Sequence, residues 1–408
     1  MNLFVLALRN VLRNRRRSFA TIAAVAAGLA AVNLFGGYIA NVYTGLQIQA
    51  VSGERLGHLS IYKKGMLLEG KLRPNKYMFS AEESKQITKI IRDGGGVKMV
   101  SPRLSISGLA SNGQISTIFI GEGVVPEDSE ILRRDLQEGA GGRLLSDNAY
   151  GVSVSSDLAK LLGYKLGDTV TLLTSTLDGQ ANAMDGEIVD IFNTGNINTN
   201  DKFLVAPFSF TQSLLDTARV ERFVVLFENE AMTAEKQPQL MSSLKAAGFD
   251  VEIKTWQELS SFYQQVRSLF NMIFSFIAAI VFVIAAMSIA NTISMTVIER
   301  TREIGTMRSI GMRTGGVVKL FAFEAAWLAL AGTIVGALVT VVAALVVNKA
   351  GISYVPPNSS FAVQLLVDLD WVRMIAVAAV VVCLSIASAV LPSVKAARLK
   401  IVDALAHT

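Results

Sequence analysis

Charge is absent from four long stretches of the chain: Ser18–Gly53, Ser268–Ile298, Ala325–Asn348 and Met374–Val394 contain no Asp, Glu, Lys or Arg. They run 36, 31, 24 and 21 residues, each at or above the roughly 20 apolar residues that carry a helix across a bilayer. The pattern predicts membrane spans at 18–45, 268–298, 320–348 and 374–394. About 22 apolar residues precede the turn-like Gly37-Tyr38-Ile39-Ala40-Asn41, longer than the 7–15 residue core of a cleaved signal peptide. The first stretch is therefore read as a span.

Residues 46–267 read differently. His58–Tyr62 alternates like a strand. Ser80-Ala81-Glu82-Glu83 is a capping box opening a helix whose Ile87, Ile90 and Ile91 share a face, ended by Gly94-Gly95-Gly96. Strands are predicted at Val97–Val100, Ser105–Ala110 and Gln114–Ile120, the last two flanking the hairpin dipeptide Asn112-Gly113. Short helices at Ser156–Leu162 and Ala231–Ala247 alternate irregularly with strands at Thr169–Leu173, Glu187–Phe192, Phe203–Ala206, Phe223–Phe227 and Val251–Ile253. Trp256–Arg267 is predicted to run as helix directly into the second span. Irregular alternation predicts an α+β domain, one large or two small, rather than a doubly wound sheet. The expected fold is thus four transmembrane helices plus a large α+β domain inserted between helices one and two.

Composition narrows the class. The 408 residues are 51% hydrophobic and 17% charged, below the roughly 25% charged residues of soluble domains. A soluble enzyme and a disordered chain are both excluded. The net charge of +5 divides in two: Asn41–Arg267 holds 23 Lys+Arg against 27 Asp+Glu, and the remainder holds 15 against 6. The basic surplus lies beside the apolar helices, so a nucleic-acid partner is not expected. One cysteine, Cys383, excludes an intrachain disulfide, and two histidines, His58 and His407, make a His-rich metal site unexpected.

The basic residues also orient the spans. Arg9, Arg13, Arg15, Arg16 and Arg17 precede the first. Arg300, Arg302, Arg308, Arg313 and Lys319 lie between the second and third, and Lys395, Arg398 and Lys400 follow the fourth. Residues 349–373 carry two basic and two acidic residues. Both termini (1–17 and 395–408) and the 299–319 loop are expected inside, and 46–267 and 349–373 outside.

No nucleophile constellation appears in the outer segment, and no catalytic residue is assigned. Gly65-Met66-Leu67-Leu68-Glu69-Gly70-Lys71 fits the spacing of a phosphate-cradling loop. It lacks the following Ser or Thr, however, and Pro74 interrupts the helix that should follow. No nucleotide site is expected in this chain.

The inner loop carries most information. Ile304, Met307 and Ile310 recur three apart in a short amphipathic helix flanked by Arg300, Arg308 and Arg313, with Gly311 as a candidate C-terminal cap. Its apolar tips and charged flanks suit docking into a groove of another protein; anionic lipid is the other partner its charge allows. Glu324, at the edge of the third span near Lys319, reads as a snorkelling carboxylate. Ala24-x-x-x-Gly28 and Gly332-x-x-x-Gly336 permit close helix packing, and the first pair suggests a dimer seam at span one.

The loop motif Glu299-Arg300-x-Arg302-Glu303-Ile304-Gly305-x-x-Arg308-x-Ile310-Gly311, followed by Phe323-Glu324, resembles the FtsX/MacB/LolCE permeases of ABC transporters. So do Arg9–Arg17 before the first span, Gly57–Ile61 and Ala159–Val170. The likeness covers nearly the whole chain, and the segments at 57–61 and 159–170 are most similar to the LolC/LolE lipoprotein-release branch.

The resemblance implies a non-enzymatic inner-membrane subunit whose large domain is periplasmic. Two permease chains, identical or paralogous, would pair on a dimer of a separate ABC-type ATPase that binds ATP and Mg. The coupling helix would comprise Glu299, Arg302, Glu303, Ile304, Gly305, Met307, Arg308, Ile310 and Gly311. An amphipathic front helix with Arg9, Arg13, Arg15, Arg16 and Arg17 would lie on membrane lipid. The implied function is mechanical extraction and release of a lipoprotein or other amphipathic substrate, with a periplasmic chaperone or adaptor as partner. FtsX-like signalling to a periplasmic partner and MacB-like efflux of small toxic compounds are the alternatives.

Overall fold

The computed structural model describes residues 3–70, 72–136 and 139–398. Lys71, Lys400, His407 and most of the 395–408 segment lie outside the described residues. The chain divides into two compact units: a helical unit up to Tyr43, with Arg267–Ser353 and the chain from Gln364; and a second unit of Thr44–Val266 and Tyr354–Val363.

Four helices, Arg15–Ile48, Ser261–Glu299, Thr314–Ala350 and Trp371–Ala397, are long and apolar enough to cross a membrane. They are called spans one to four here. In the helical unit their core joins Val25 and Leu29 of span one to Ile289, Phe321, Ala325, Val381 and Ala389. Small residues set the closest approaches. A Cβ on Gly332 would stand 2.6 Å from Val25 Cγ1, and one on Gly336 would stand 2.8 Å from the Ala26 carbonyl. A Cβ on Gly28 would lie 2.7 Å from Val281 Cγ1, and Ala24 is half-buried. Gly28, Gly332 and Gly336 therefore pack spans within one chain. The close approaches that these small residues were expected to permit are thus made between spans of the same chain.

Gly37 does not turn the chain either. Span one continues through it, and the bare glycine lets the 367–373 segment approach: Asp368 N–H donates to the Gly37 carbonyl at 3.2 Å, and Arg373 Nη1 donates to the Gly36 carbonyl at 2.6 Å. The third span begins at Thr314, inside the segment read as loop, because nothing between Thr314 and Lys319 interrupts the helix.

Among the described residues the second unit holds a nine-stranded sheet: β1 Leu59–Lys63, β2 Val97–Ser111, β3 Ser116–Val124, β4 Gly151–Ser155, β5 Thr169–Ser175, β6 Ala181–Phe192, β7 Phe203–Pro207, β8 Arg222–Phe227 and β9 Val251–Thr255. The order β3-β7-β4-β6-β5-β2, with β2 also paired to β3, closes a six-stranded ring. Leu104, Phe119, Val154, Leu172, Ile188 and Leu204 fill it. The order β2-β8-β1-β9 forms a second, open layer. Helices Ala81–Asp93 and Thr233–Ala246 cover it through Ile87, Ile91, Leu240 and Leu244.

Strand β2 belongs to both lobes. Val97–Arg103 pairs with β8, and Leu104–Ser111 pairs with β3. The two strands expected there are one, because Pro102 sits where β8 is the only neighbour. Its missing N–H then interrupts no ladder. The Asn112-Gly113 turn is wider than expected, since Asn112 Oδ1 accepts the Gln114 and Ile115 N–H groups at 2.9 and 2.8 Å. Pairing resumes only at Ser116. The capping box forms as its spacing predicts: Glu83 N–H donates to Ser80 Oγ at 3.2 Å, and Ser80 N–H to Glu83 Oε2 at 2.7 Å. The helix at Trp256 does not run into span two; Ser260, at ψ 95°, breaks it after Leu259.

Span one's helix ends in a π-turn, Gln49–Gly53. Gln49 Nε2 donates to the Thr194 carbonyl at 3.0 Å, inside a loop that also holds Asn358 and Ser360 through Asn198 and Asn193. Gly195 has φ +77°, and a Cβ there would stand 2.6 Å from Gln49 Oε1. Gly195→Val is expected to destabilise this unit by about 2 kcal/mol or more, from backbone strain plus the clash. Adding Gln49→Ala should restore only the clash component. Thermal unfolding of the full-length variants measures both; an unshifted single variant would refute the packing argument.

Candidate functional site

Within the helical unit, the ends of the spans nearest the 299–319 loop carry a connected set of charges. The front helix Leu3–Arg13 is amphipathic. Its Ala7 is fully buried, and Phe4 packs edge-on to Phe323 and beside Trp327 of span three. That docking turns Asn10 inward and leaves Phe4, Val5 and Leu12 exposed, the apolar surface an interfacial helix requires.

Arg300 ends span two and caps the loop helix Thr301–Ser309. Its Nε donates to Glu303 Oε2 at 2.6 Å, and its Nη1 to Glu324 Oε1 at 2.9 Å. Glu324 is 3% exposed and also accepts the Asn10 amide at 2.6 Å. Arg17 donates two hydrogen bonds to Glu299, at 2.8 and 2.7 Å, and Arg13 lies 3.7 Å from Glu303. Higher up, the Thr21 and Thr292 hydroxyls share a buried hydrogen bond of 2.6 Å. The pairs differ in weight. Arg17–Glu299 and Arg13–Glu303 are open to solvent and contribute about 0–1 kcal/mol each. Arg300–Glu324 is buried, and removing one partner strands the other.

Glu324 is thus no snorkelling carboxylate. The loop folds back so that Arg300 rather than Lys319 reaches it, and Asn10 closes the remaining side. The loop helix is also turned differently from expectation. Ile304 is 2% exposed and Met307 half-buried against the span core, with Gly305 buried beside them. The spacing-three stripe anchors the helix instead of presenting it, because the nearest apolar surface is the chain's own. The outward face carries Arg302, Glu303, Thr306 and Ile310, the last 81% exposed. Gly311, at φ +100°, reverses the chain after it.

Of the residues singled out in the sequence, Arg13 and Arg17 meet Glu303 and Glu299, whereas Arg9, Arg15 and Arg16 stay exposed. Arg308 is half-buried. Asn10 and Glu324 were not placed in the site by sequence reasoning. The available signal was a carboxylate at the edge of an apolar run. Among the described residues no three His, Cys, Asp or Glu side chains gather as a metal site.

The family model for the MacB-like periplasmic core domain matches residues 18–242, and the FtsX-like permease C-terminal model matches residues 275–401. The chain belongs to the FtsX/MacB family of ABC transporter permeases. An uncharacterized ABC transporter permease of Methanocaldococcus jannaschii is 20% identical over 90% of this chain and 90% of that protein. The lipoprotein-releasing system transmembrane protein LolC of Neisseria meningitidis is 21% identical over 79% of this chain and 81% of that protein. The macrolide export ATP-binding/permease protein MacB of Neisseria gonorrhoeae is 24% identical over 52% of this chain and 31% of that protein. The permease thus spans about a third of MacB and most of LolC. Its loop helix lies just inside the FtsX-like match, and its nine strands lie largely inside the MacB-like match.

Proposed function

We propose that this permease is the membrane subunit of an ATP-driven complex in the inner membrane, with termini inside and the 46–267 domain periplasmic. Its 299–319 loop docks on a separate ABC-type ATPase dimer, which binds ATP and Mg. Two permease chains pair there. Motion of the loop passes through spans one and two to the outer domain, which extracts and releases a lipoprotein or other amphipathic substrate toward a periplasmic acceptor.

The observation that carries this reading is the Arg300 junction. One guanidinium ties the loop helix to Glu324 of span three, and the same carboxylate holds Asn10 of the front helix, so a push on the exposed Arg302–Ile310 face moves all three together. Long, mostly apolar spans fit a substrate handled beside lipid better than one led through a hydrated pore. The likeness to LolC over most of both chains supports the lipoprotein reading.

The test uses the permease co-purified with its ATPase. Glu303→Lys, Gly305→Pro and the surface pair Arg302→Glu/Ile310→Asp are expected to abolish substrate-stimulated ATP hydrolysis while the chain remains in the membrane. The surface pair is decisive, since neither residue supports the fold. Undiminished stimulation in that variant would exclude the loop as the docking element.

A further inference from the structure

A second site lies in the outer unit, where the helix of span one ends. A cavity of about 500 Å³ opens there, within the size range of small-ligand pockets. Its lining combines apolar side chains, among them Ile48, Leu226 and Phe227, with polar ones that include His58, Lys98, Asp135, Glu228, Asn229 and Glu230.

His58 is 8% exposed. Its Nδ1 accepts the Phe227 N–H at 3.1 Å, and its ring stacks against Phe227. An accepting Nδ1 places the ring proton on Nε2. Burial holds the imidazole pKa below its ordinary value, opposed by Glu230, so the ring is neutral. Nε2–H has no hydrogen-bond partner among the described residues, and His58 lines the cavity. Glu230 is already engaged, accepting from Trp256 Nε1 at 2.9 Å and from the Gln47 amide. Asn229 Oδ1 accepts the Ala231 N–H at 2.9 Å, which leaves its NH₂ group as a donor. Lys98, Asp135 and Glu228 are exposed and form no ion pair among the described residues.

The cavity therefore offers donors that include His58, Lys98 and Asn229, two unengaged carboxylates (Asp135, Glu228) and apolar side chains. A simple anion would meet the carboxylates, and a simple cation would leave Lys98 and His58 without acceptors. A quaternary ammonium has no N–H for the carboxylates. We propose that this cavity binds a phosphoethanolamine-type group, its phosphate on His58, Lys98 and Asn229 and its primary ammonium on Asp135 and Glu228. A lipid headgroup and a free phosphodiester share this chemistry. The proposal does not depend on the ATPase reading.

The chain has only two histidines, so ring-¹⁵N labelling of full-length His407→Ala protein gives a single Nε2–H signal, from His58. The protein is placed in phosphatidylcholine nanodiscs. One arm adds soluble glycerophosphoethanolamine, and the other replaces part of the lipid by phosphatidylethanolamine. The signal is expected to move in at least one arm, which identifies the source, and not with glycerophosphocholine. No movement in either arm, or equal movement with the choline analogue, overturns the proposal. Asp135→Asn/Glu228→Gln, two surface changes, should weaken binding about tenfold or more with thermal stability unchanged. Unchanged affinity would likewise overturn it.

Discussion

Arg300→Met is expected to destabilise the helical unit by about 3–5 kcal/mol, the usual cost of stranding a buried charge. Glu324 would keep only the Asn10 amide, at 2.6 Å, inside an otherwise apolar span edge. Glu324→Gln should be milder, about 1–2 kcal/mol, because the amide oxygen still accepts from Asn10 and Arg300. In the double variant Arg300→Met/Glu324→Met no charge is left to strand. Most of the lost stability should return, since an apolar pair of similar volume often replaces a buried ion pair at little cost. Thermal unfolding of the full chain in nanodiscs reads all three. If the double variant is as damaged as the sum of the singles, the two side chains act independently and the Arg300 junction does not exist. If the junction does exist, the stable double variant separates fold from the proposed function: it should remain in the membrane yet show weak substrate-stimulated ATP hydrolysis with its ATPase, because a directional bond between loop and span three has been replaced by a slippery contact.

How much of this was legible depended on range. The four spans follow from runs of uncharged residues, and the Ser80–Glu83 box from a spacing of three; both are local, and both appear as read. The ring of strands is not local. β3 pairs in parallel with β7, so Gly121 meets Leu204 across some eighty residues, and no alternation within either strand announces that partner. Val97–Val100 and Ser105–Ala110 read as two strands, and only the pairing partner shows that one strand passes through Pro102, whose N–H side is vacant. The loop helix itself was legible, but the direction of its apolar face was not. A stripe of Ile304, Met307 and Ile310 states that one face is apolar but not which protein covers it. Here the spans of the same chain cover Ile304 and Met307, and only Ile310 remains outside. Glu324 was misread for the same reason: its partners, Asn10 and Arg300, lie 314 and 24 positions away.

Glu122→Gln is the substitution expected to damage the second unit most. Where β2 passes from one lobe to the other, Arg103 lies opposite Arg222 in register, and Arg55 lies nearby, stacked over Phe192 and Phe203. Glu122, 4% exposed, binds Arg222, which also donates to Glu221 at 3.2 Å and Ser105 at 3.1 Å. Burial works against all three cations. For Arg222, Glu122 and Glu221 outweigh it and hold the pKa above its ordinary value. For Arg103 burial prevails despite Glu122 and Asp128, and for Arg55 it lowers the pKa to about 10 despite Glu122. Glu122 thus serves three guanidinium groups, and neutralising it leaves them mutually repelling in a dry interior. The expected loss is about 3–5 kcal/mol, read as a lower midpoint in thermal unfolding of the full chain. Glu221→Gln, at the better-hydrated edge of the cluster, should cost about 1–2 kcal/mol. A Glu122 variant no weaker than the Glu221 variant would show that water, rather than this carboxylate, balances the arginines. Because the cluster surrounds the point where β2 passes from one lobe to the other, its loss should also loosen one lobe against the other. Hydrogen exchange should then rise on β2 and β8 before it rises within the ring's far strands, β4 and β6.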